Sequence, residues 1–467
     1  MTTYIFIKEL QNYLLNRRVL LTMGLVIVLF VLNASIHVYQ YQDLRQNYEN
    51  NVAKNYRELI YNAKQNLKTL PEMVIFPQKI YNRPSSLSFI SVTTEGIIPD
   101  GVKMRMFEEP DFETFSQGNP LSNPFLSIDW TTLIIYGVSF FCLCFSYNAF
   151  SGEREDGTMK LMLSNSLSRS SIIFGKFFST LIVFSIPILV GIILSCLIFE
   201  IAPTIHLELT DYFKIGWFLF SSILMVSLAI MLGFFVSLLT RSSYSSLIIC
   251  LLCWTVMVVI IPNISWIISS QFSKIPTAKD IYSQEKQQIN ALKDCHMGWY
   301  GNKTNEQQIR ERKDCIDRRT AIHNSLWSNY HNLQFEQTNQ AIWLSKVSPF
   351  ALFRFMNDKL SGNNFYEYTY FFRQVKNYQQ TYLNYIANKD NFDPKSRHII
   401  WNEGPWTLSL FMSNQQIVPE EVPQFTASSQ LLGELVANTV VDIGILSFWI
   451  IGLFVLTFVN FMRYDVR

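Results

Sequence analysis

The amino-acid sequence predicts an all-α polytopic membrane protein on the basis of three observations. The 467 residues are 49% hydrophobic and only 16% charged, whereas roughly 25% would be charged in an ordinary soluble protein. The apolar residues are concentrated in six uncharged stretches, each long enough to cross roughly 30 Å of hydrocarbon. Few Gly and Pro residues and an aromatic content of 15% exclude a collagen-like or disordered chain, and the net charge of +2 indicates no nucleic-acid partner.

The first apolar stretch, residues 19–38, is predicted to be an uncleaved transmembrane helix. It is longer than the apolar region of about 7 to 15 residues in a signal peptide, and it is not followed by a small-residue cleavage site. Residues 1–18 precede it and place apolar side chains at helical spacing, at Phe6, Leu10, Tyr13 and Leu14. This pattern predicts a cytoplasmic interfacial helix on the membrane surface; a short helix packed on a partner protein is the alternative.

Five further spans are predicted downstream, each an uncharged apolar run. They cover residues 130–150, 177–199, 215–239, 246–268 and 440–459. Lys and Arg residues concentrate before the first span, in the short loops after the second and fourth spans, and in the tail formed by residues 460–467. Such residues are in excess on the cytoplasmic side of a membrane. We therefore expect both termini and these loops to be cytoplasmic.

Two long segments should then lie outside the cell membrane, residues 39–129 and residues 271–438. The first opens with a charged, helix-favouring stretch, and the second is mostly helical in pattern. We expect two mainly helical extracytoplasmic domains. Within the second, the segment from Phe365 to Tyr385 is dense in aromatic side chains, and their helical spacing favours a hydrophobic core over a binding surface.

Two of the seven cysteines, Cys295 and Cys315, lie in the second outer segment. An oxidising outer compartment would allow them to form a disulfide, which we predict; two unpaired thiols are the alternative. The other five cysteines lie inside predicted spans, where thiols behave as small apolar side chains. No histidine spacing typical of a metal site occurs, and we expect no metal.

The loop of residues 151–176, between the second and third spans, is the most informative segment. Gly157 can turn the chain, and the Thr158 hydroxyl can cap the helix that follows. An apolar knob at the membrane surface comes next, formed by Leu161, Met162 and Leu163. Charged residues before this knob and apolar residues within it suit a short helix that docks in a groove of another protein. An ordinary positive loop with an interfacial helix is the alternative.

The same loop resembles the second intracellular loop of type-2 ABC exporter permeases, the transmembrane subunits of ABC transporters. In that family a Glu-x-x-x-Gly-Thr pattern leads into a Leu-rich coupling helix, and Ser-Arg and Gly-Lys follow at the start of the third span. The matching positions are Glu153, Gly157, Thr158, Leu161, Leu163, Ser164, Ser168, Arg169, Gly175 and Lys176. Ser166 departs from the pattern, because a Pro is usual there. The span count and the outer segments also resemble this family, in particular a bacterial subgroup with two large extracytoplasmic domains.

The resemblance implies that a separate ABC ATPase subunit docks under a cytoplasmic coupling helix. The implied contact residues are Glu153, Arg154, Glu155, Gly157, Thr158, Leu161, Met162 and Leu163. ATP and Mg²⁺ would be bound by that ATPase and no cofactor by this chain, which lacks the GxxxxGK[ST] phosphate-binding loop. The chain would lie in the bacterial inner (cytoplasmic) membrane, in contact with membrane lipid.

The resemblance also implies a dimer with a second permease copy or a paralogue. Small side chains permit close approach of helices in lipid. The fourth span offers one such face, formed by Ser222, Ala229, Gly233 and Ser237. Packing within the bundle is an equally natural use of these residues, and the sequence leaves both open.

The expected function is that of a permease subunit, which moves a substrate out of the cytoplasm or the inner leaflet with ATP hydrolysed by another subunit. A transmitter of signal or force, driven by the same ATPase and acting on an envelope partner, is the alternative. An intramembrane enzyme is a third reading. Asp442, near the outer end of the sixth span, is the main ionisable residue inside the spans, and this scarcity argues against proton-coupled transport and intramembrane catalysis. No catalytic motif is present, and we expect no enzymatic activity in this chain.

Overall fold

The computed structural model of this protein describes residues 2–65, 69–92, 101–112, 128–164, 168–203, 205–292, 295, 306–362, 365–416, 418, 421–428 and 432–463. Within them, six helical segments are long and apolar enough to cross a membrane, which confirms the predicted fold class. These spans are Arg17–Glu58, Trp130–Glu155, Arg169–Ile201, Leu209–Leu239, Ser243–Phe272 and Leu435–Met462.

The helices and strands are numbered in chain order. The helices are α1 (Thr2–Leu15), α2 (Arg17–Gln65), α3 (Leu70–Ile75), α4 (Trp130–Thr132), α5 (Ser139–Ser146), α6 (Ser151–Glu155), α7 (Thr158–Ser164), α8 (Arg169–Ile201), α9 (Leu209–Leu239), α10 (Ser243–Thr255), α11 (Ile261–Phe272), α12 (Ala278–Asn290), α13 (Glu306–Ser345), α14 (Pro349–Ser361), α15 (Phe365–Asn391), α16 (Pro405–Leu408) and α17 (Leu432–Met462). Two π-helical turns, Leu133–Val138 and Val256–Ile260, interrupt the second and fifth spans. The strands are β1 (Gln78–Tyr81), β2 (Gly101–Met104) and β3 (Asp111–Phe112), and they form one antiparallel sheet in that order.

Helix α1 lies against the start of the third span, α8. Ile5 packs closely on Gly175, where an added Cβ atom would come within 2.8 Å of the Ile5 side chain. The Thr180 hydroxyl donates a hydrogen bond to the Tyr13 hydroxyl at 3.1 Å. Leu15 remains exposed. The helix thus has one face on the bundle and another directed away from it, which is the arrangement of an interfacial helix.

Helix α2 is longer than a membrane requires. Its 49 residues extend about 70 Å at 1.5 Å per residue, more than twice the roughly 30 Å of a hydrocarbon core. Beyond the predicted span at residues 19–38, the helix continues into polar sequence. There the Asn55 side-chain amide donates to the Lys79 carbonyl of β1. The first span is therefore a continuous helical connection to the region outside the bundle.

The fourth span, α9, is the central helix of the bundle. Most of its residues are buried, whereas only a small share of those of the fifth and sixth spans are buried. Ser222, Ala229 and Ser237 are fully buried within this single chain, and Gly233 contacts Ser146 of the second span. The small residues of α9 therefore serve packing within the bundle, which is one of the two uses that the sequence leaves open.

The two long segments outside the spans form one domain, which we call the extramembrane domain. They share one cluster of buried side chains, which includes Leu70, Met73, Val74, Ile80, Val102 and Met104 from the first segment and Ile316, Tyr368, Val375, Tyr382 and Trp401 from the second. Three short strands are too small to bury an apolar face among themselves, so the sheet packs against the helices of the second segment. The two segments predicted as outer domains, residues 39–129 and 271–438, thus share one core, to which the first segment contributes the small sheet.

Helix α14 packs on the bundle, although the sequence assigns it to the second outer domain. All 13 of its residues are buried. Phe350, Leu352, Phe353 and Met356 belong to the same cluster of buried side chains as the spans. The range 271–438 is therefore not wholly outside the bundle.

The aromatic residues of α15 form the core that the sequence predicts. Tyr368, Phe371, Phe372, Tyr378 and Tyr382 are buried in the extramembrane domain. Burial raises the pKa of the Tyr378 and Tyr382 hydroxyls above the usual range, because it disfavours the charged phenolate. These residues are structural.

Cys295 and Cys315 are joined by a disulfide, with Cα atoms 5.1 Å apart. The sequence between them also predicts a turn at residues 298–302, which lie outside the described residues. Among the described residues, no group of three or more His, Cys, Asp or Glu side chains is placed to hold a metal ion.

Candidate functional site

The second span ends in the short helix α6, and the short helix α7 follows before the third span, at the end of the bundle that has short loops. We call this end the loop end. Gly157 joins the two helices with a φ of 74°, in the left-handed region that favours glycine. The Thr158 hydroxyl was expected to cap α7, but it donates instead to the Glu153 carbonyl at 3.2 Å. The turn is therefore tied back to α6.

Three consecutive residues of α6 bind to three different spans, beginning with Glu153. Its carboxylate lies 2.7 Å from the ammonium group of Lys176, in the third span. Lys176 is buried and also pairs with Glu9 of α1 at 2.9 Å. A buried charge is strongly destabilising unless it is paired, so this cation joins α1, α6 and α8.

Arg154 binds to the end of the fourth span. Its guanidinium donates to the Thr240 carbonyl at 2.6 Å and to the Leu238 carbonyl at 3.3 Å. These carbonyls belong to the last turn of a helix, where they lack intrahelical partners and the helix dipole favours a cation. Arg169 does the same at the sixth span, donating to Phe461 and Met462 at 2.9 and 2.6 Å. Arg154 of α6 and Arg169 of α8 thus hold two helix ends by the same chemistry.

Glu155 binds to the beginning of the fifth span. Its carboxylate accepts from the Ser243 amide at 3.0 Å and from the Ser243 hydroxyl at 2.5 Å. An acidic group is favourable there because the first amides of a helix lack intrahelical partners. Glu153, Arg154 and Glu155 were all expected to contact a second protein, and the structure gives each of them a partner within this chain.

The exposed part of the loop is narrower than the sequence suggests. Leu161 is 68% exposed, whereas Met159 is buried and Met162 and Leu163 pack against the bundle. Met159, Met162 and Leu163 follow the i, i+3, i+4 spacing of a single helix face, so α7 turns this face inward. The predicted three-residue knob is therefore reduced to Leu161. Helical spacing within 159–163 could have revealed this from the sequence.

The surface around Leu161 is polar and open to a partner. Asp156, Gly157, Thr158 and Lys160 are all exposed. Leu161 is thus one apolar side chain on a polar surface. The helices that carry it are bonded to the third, fourth and fifth spans. This arrangement suits the transfer of a mechanical force from a bound protein to the bundle.

The sequence did not single out Thr240 and Ser243, which bind α6, or Glu9, which shares the Lys176 cation with α6. Lys176 was noted only as part of a motif. The sequence does indicate that Lys176 forms an ion pair. It is a single cation at the start of an apolar run, and a buried cation needs an anion as its partner.

Nearly the whole chain matches a known protein family. Residues 3–466 match the family described as ABC-2 family transporter protein. No curated protein matches the chain.

We expect Lys176→Met to loosen the loop end of the bundle. The substitution keeps most of the volume but leaves Glu9 and Glu153 facing each other without a cation, at a cost on the order of 3 kcal/mol. Thermal unfolding of the purified protein should shift to lower temperature, and the triple variant Lys176→Met/Glu9→Gln/Glu153→Gln should recover most of the loss. Lys160→Met, at an exposed position, is the matched control. Equal stability of Lys176→Met and Lys160→Met would contradict the assignment.

Proposed function

The chain belongs to the ABC-2 family of transporter proteins, and from this membership we propose that it exports a substrate with energy from a separate ABC ATPase subunit. As the multi-pass permease subunit of an ABC transporter, it would move that substrate out of the cytoplasm or the inner leaflet. ATP and Mg²⁺ would bind to the ATPase.

The observation that best supports coupling to an ATPase is the construction of the 151–164 loop. Leu161 projects from α7, while α6 is bonded to the third span through Lys176, to the fourth through Thr240 and to the fifth through Ser243. A force applied to Leu161 would therefore reach three spans over short distances. We propose that α7 is the coupling helix and that Leu161 and the exposed Thr158 form the ATPase contact.

We also propose that the loop end is cytoplasmic and that the extramembrane domain lies outside a bacterial inner membrane. The basic residues of the loop end support this orientation, because Lys and Arg are in excess on the cytoplasmic side. A disulfide between Cys295 and Cys315 suits an oxidising outer compartment.

A second candidate function is a transmitter that moves the extramembrane domain against an envelope partner without moving a substrate. The observation in its favour is that this domain is one unit and is continuous with the first span through α2. ATPase turnover of the reconstituted complex with candidate substrates distinguishes the two: stimulation by a transported substrate supports export.

We expect Leu161→Glu to uncouple the ATPase. The new carboxylate would enter an apolar groove of the ATPase and lose its hydration there. Burying such an unpaired charge costs about several kcal/mol of binding free energy. Co-purification of the ATPase and ATP-dependent activity should both fall, while the variant itself remains folded because the position is exposed. Leu15→Glu, at an exposed leucine outside the loop, is the matched control and should retain both. Unchanged co-purification and activity in Leu161→Glu would refute the contact.

The orientation predicts the outcome of cysteine labelling in intact cells. A membrane-impermeant maleimide should react with a cysteine introduced by Asn302→Cys and not with one introduced by Ser166→Cys. Both positions lie outside the described residues and in the two regions assigned to opposite sides. The reverse pattern of labelling would overturn the topology.

We further propose that the permease works as a dimer, with a second copy or a close paralogue. One bundle with a central α9 offers little room for a gated path, and the fifth and sixth spans leave many apolar side chains exposed to lipid or a second bundle, including Ile248, Leu252, Val441, Phe448 and Ile451. Mass measurement of the solubilised complex should give two permease chains. An active complex with a single permease chain would end this proposal.

A further inference from the structure

Helix α14 is the meeting point of the bundle and the extramembrane domain. It follows α13 after a short turn, and every one of its residues is buried. Its hydrogen bonds reach four of the six spans and also the first long segment, as described below. In the part of the chain that the structure describes, α14 is thus placed where a rearrangement of the spans would displace it and, through it, the extramembrane domain.

The strongest of these connections is a buried ion-pair cluster, which we call the lysine–aspartate triad: Lys346, Lys359 and Asp442. The Lys346 ammonium group lies 2.7 Å from one carboxylate oxygen of Asp442, and the Lys359 ammonium group lies 2.8 Å from the other. Asp442 belongs to the sixth span and is 1% exposed. Lys346 lies just before α14, and Lys359 lies in the last turn of α14.

Side-chain hydrogen bonds join α14 to three other spans. Ser348, at its N-cap, donates to the Met257 carbonyl inside the π-helical turn of the fifth span. Arg354 donates to the Thr132 hydroxyl at 2.8 Å, next to the π-helical turn of the second span. A third bond reaches the fourth span, where Ser221 donates to the Asn357 side chain at 3.3 Å. Mid-helix departures from α-geometry are frequent at functional sites, and both π-helical turns of these spans adjoin α14.

Helix α14 is also bonded to the part of the first long segment that packs on the bundle, where Leu87, Phe89 and Ile90 are buried among the spans. There Ser91 donates to the Asp358 carboxylate, and Ser85 donates to the Ser361 carbonyl.

The contact of α14 with the extramembrane domain is apolar. Ala351 and Phe355 are buried with Ile342 of α13 and Phe365 of α15. Phe335 packs against this group and also against the core of the domain. The same short helix therefore contacts both the spans and the domain.

We infer that α14 is the joint through which movement of the spans reaches the extramembrane domain, and that the lysine–aspartate triad positions it. This inference rests on the proposed ATP-driven function. A carboxylate shared by two flexible lysines can exchange its partners one at a time as α14 shifts along the sixth span. Well-packed apolar side chains of similar volume often stabilise a fold as well as a buried ion pair does, but they cannot exchange partners in this way.

The test uses the complete permease with the ATPase that co-purifies with it. Amide hydrogen exchange is followed by mass spectrometry in two states, without nucleotide and with ATP and vanadate. Two peptides matter, one covering the loop at residues 151–164 and one covering residues 346–361. In the wild-type complex we expect both to change their exchange rate between the states on the order of tenfold.

The decisive variant is Lys346→Met/Lys359→Met/Asp442→Leu, which removes the charges and keeps an apolar contact. We expect it to retain the response at 151–164 and to lose the response at 346–361. Lys346→Met alone leaves the ion pair between Lys359 and Asp442, which has no net charge. It should weaken the response at 346–361, and it provides a readout if the triple variant does not fold. Asp442→Glu keeps a carboxylate between the two lysines and should therefore retain the response at 346–361. The matched control is Lys313→Met/Asp317→Leu, which removes an exposed ion pair of α13 and should leave both responses unchanged.

The outcomes separate this inference from the proposed function. If the triple variant keeps the response at 346–361, or if wild type shows a response only at 151–164, the joint is refuted and the proposed function stands. If wild type shows no response at 151–164, both are refuted. A loss confined to 346–361 in the triple variant supports the joint.

Discussion

Charged side chains buried in a helix bundle need partners of opposite charge, and the architecture of this protein depends on where those partners lie. At the loop end, Lys176 of the third span draws Glu9 of α1 and Glu153 of α6 onto it. At the other end, Asp442 of the sixth span pairs with Lys346, just before α14, and with Lys359, in the last turn of α14. Each cluster joins elements that are distant in sequence, because isolated charges at these positions would be too costly to bury.

The loop end adds a second use of charge, at the ends of the helices themselves. Arg154 and Arg169 donate to carbonyls in the last turns of the fourth and sixth spans, and Glu155 accepts from the first residue of the fifth. These groups are otherwise without intrahelical partners. The loop that presents Leu161 is therefore fixed to the bundle by polar bonds to helix ends. This attachment at several points is what the proposed coupling to an ATPase requires.

The extramembrane domain shows the same dependence on distant partners, here through apolar burial. Its first segment holds a sheet of three short strands, and Ile80 pairs opposite Val102 within it. Such a sheet buries its apolar face only against another element, and the aromatic side chains of α15 provide that face. Two segments separated by four spans in sequence thus depend on each other for a core. Helices α2 and α14 connect that core to the membrane bundle.

The sequence by itself determined the features that depend on neighbours within a few residues. Six apolar runs identify six spans, the aromatic spacing of α15 identifies a core helix, and Gly157 identifies a turn, since each follows from local periodicity or from the backbone freedom of one residue. The motif of the loop at residues 151–176 also identified the family before any geometry was known.

Only the tertiary structure decided which side chains meet. Glu153 pairs with Lys176, the small residues of α9 pack within the bundle, and α14 packs on the bundle although the sequence assigns it to an outer domain. Lys346 and Asp442 are 96 residues apart in the chain. Periodicity shows which face of a helix is apolar, but not which of several buried faces it will contact. That choice is made by the packing of all the helices together, because the cost of an unpaired buried charge or an unfilled core is set by every neighbour at once.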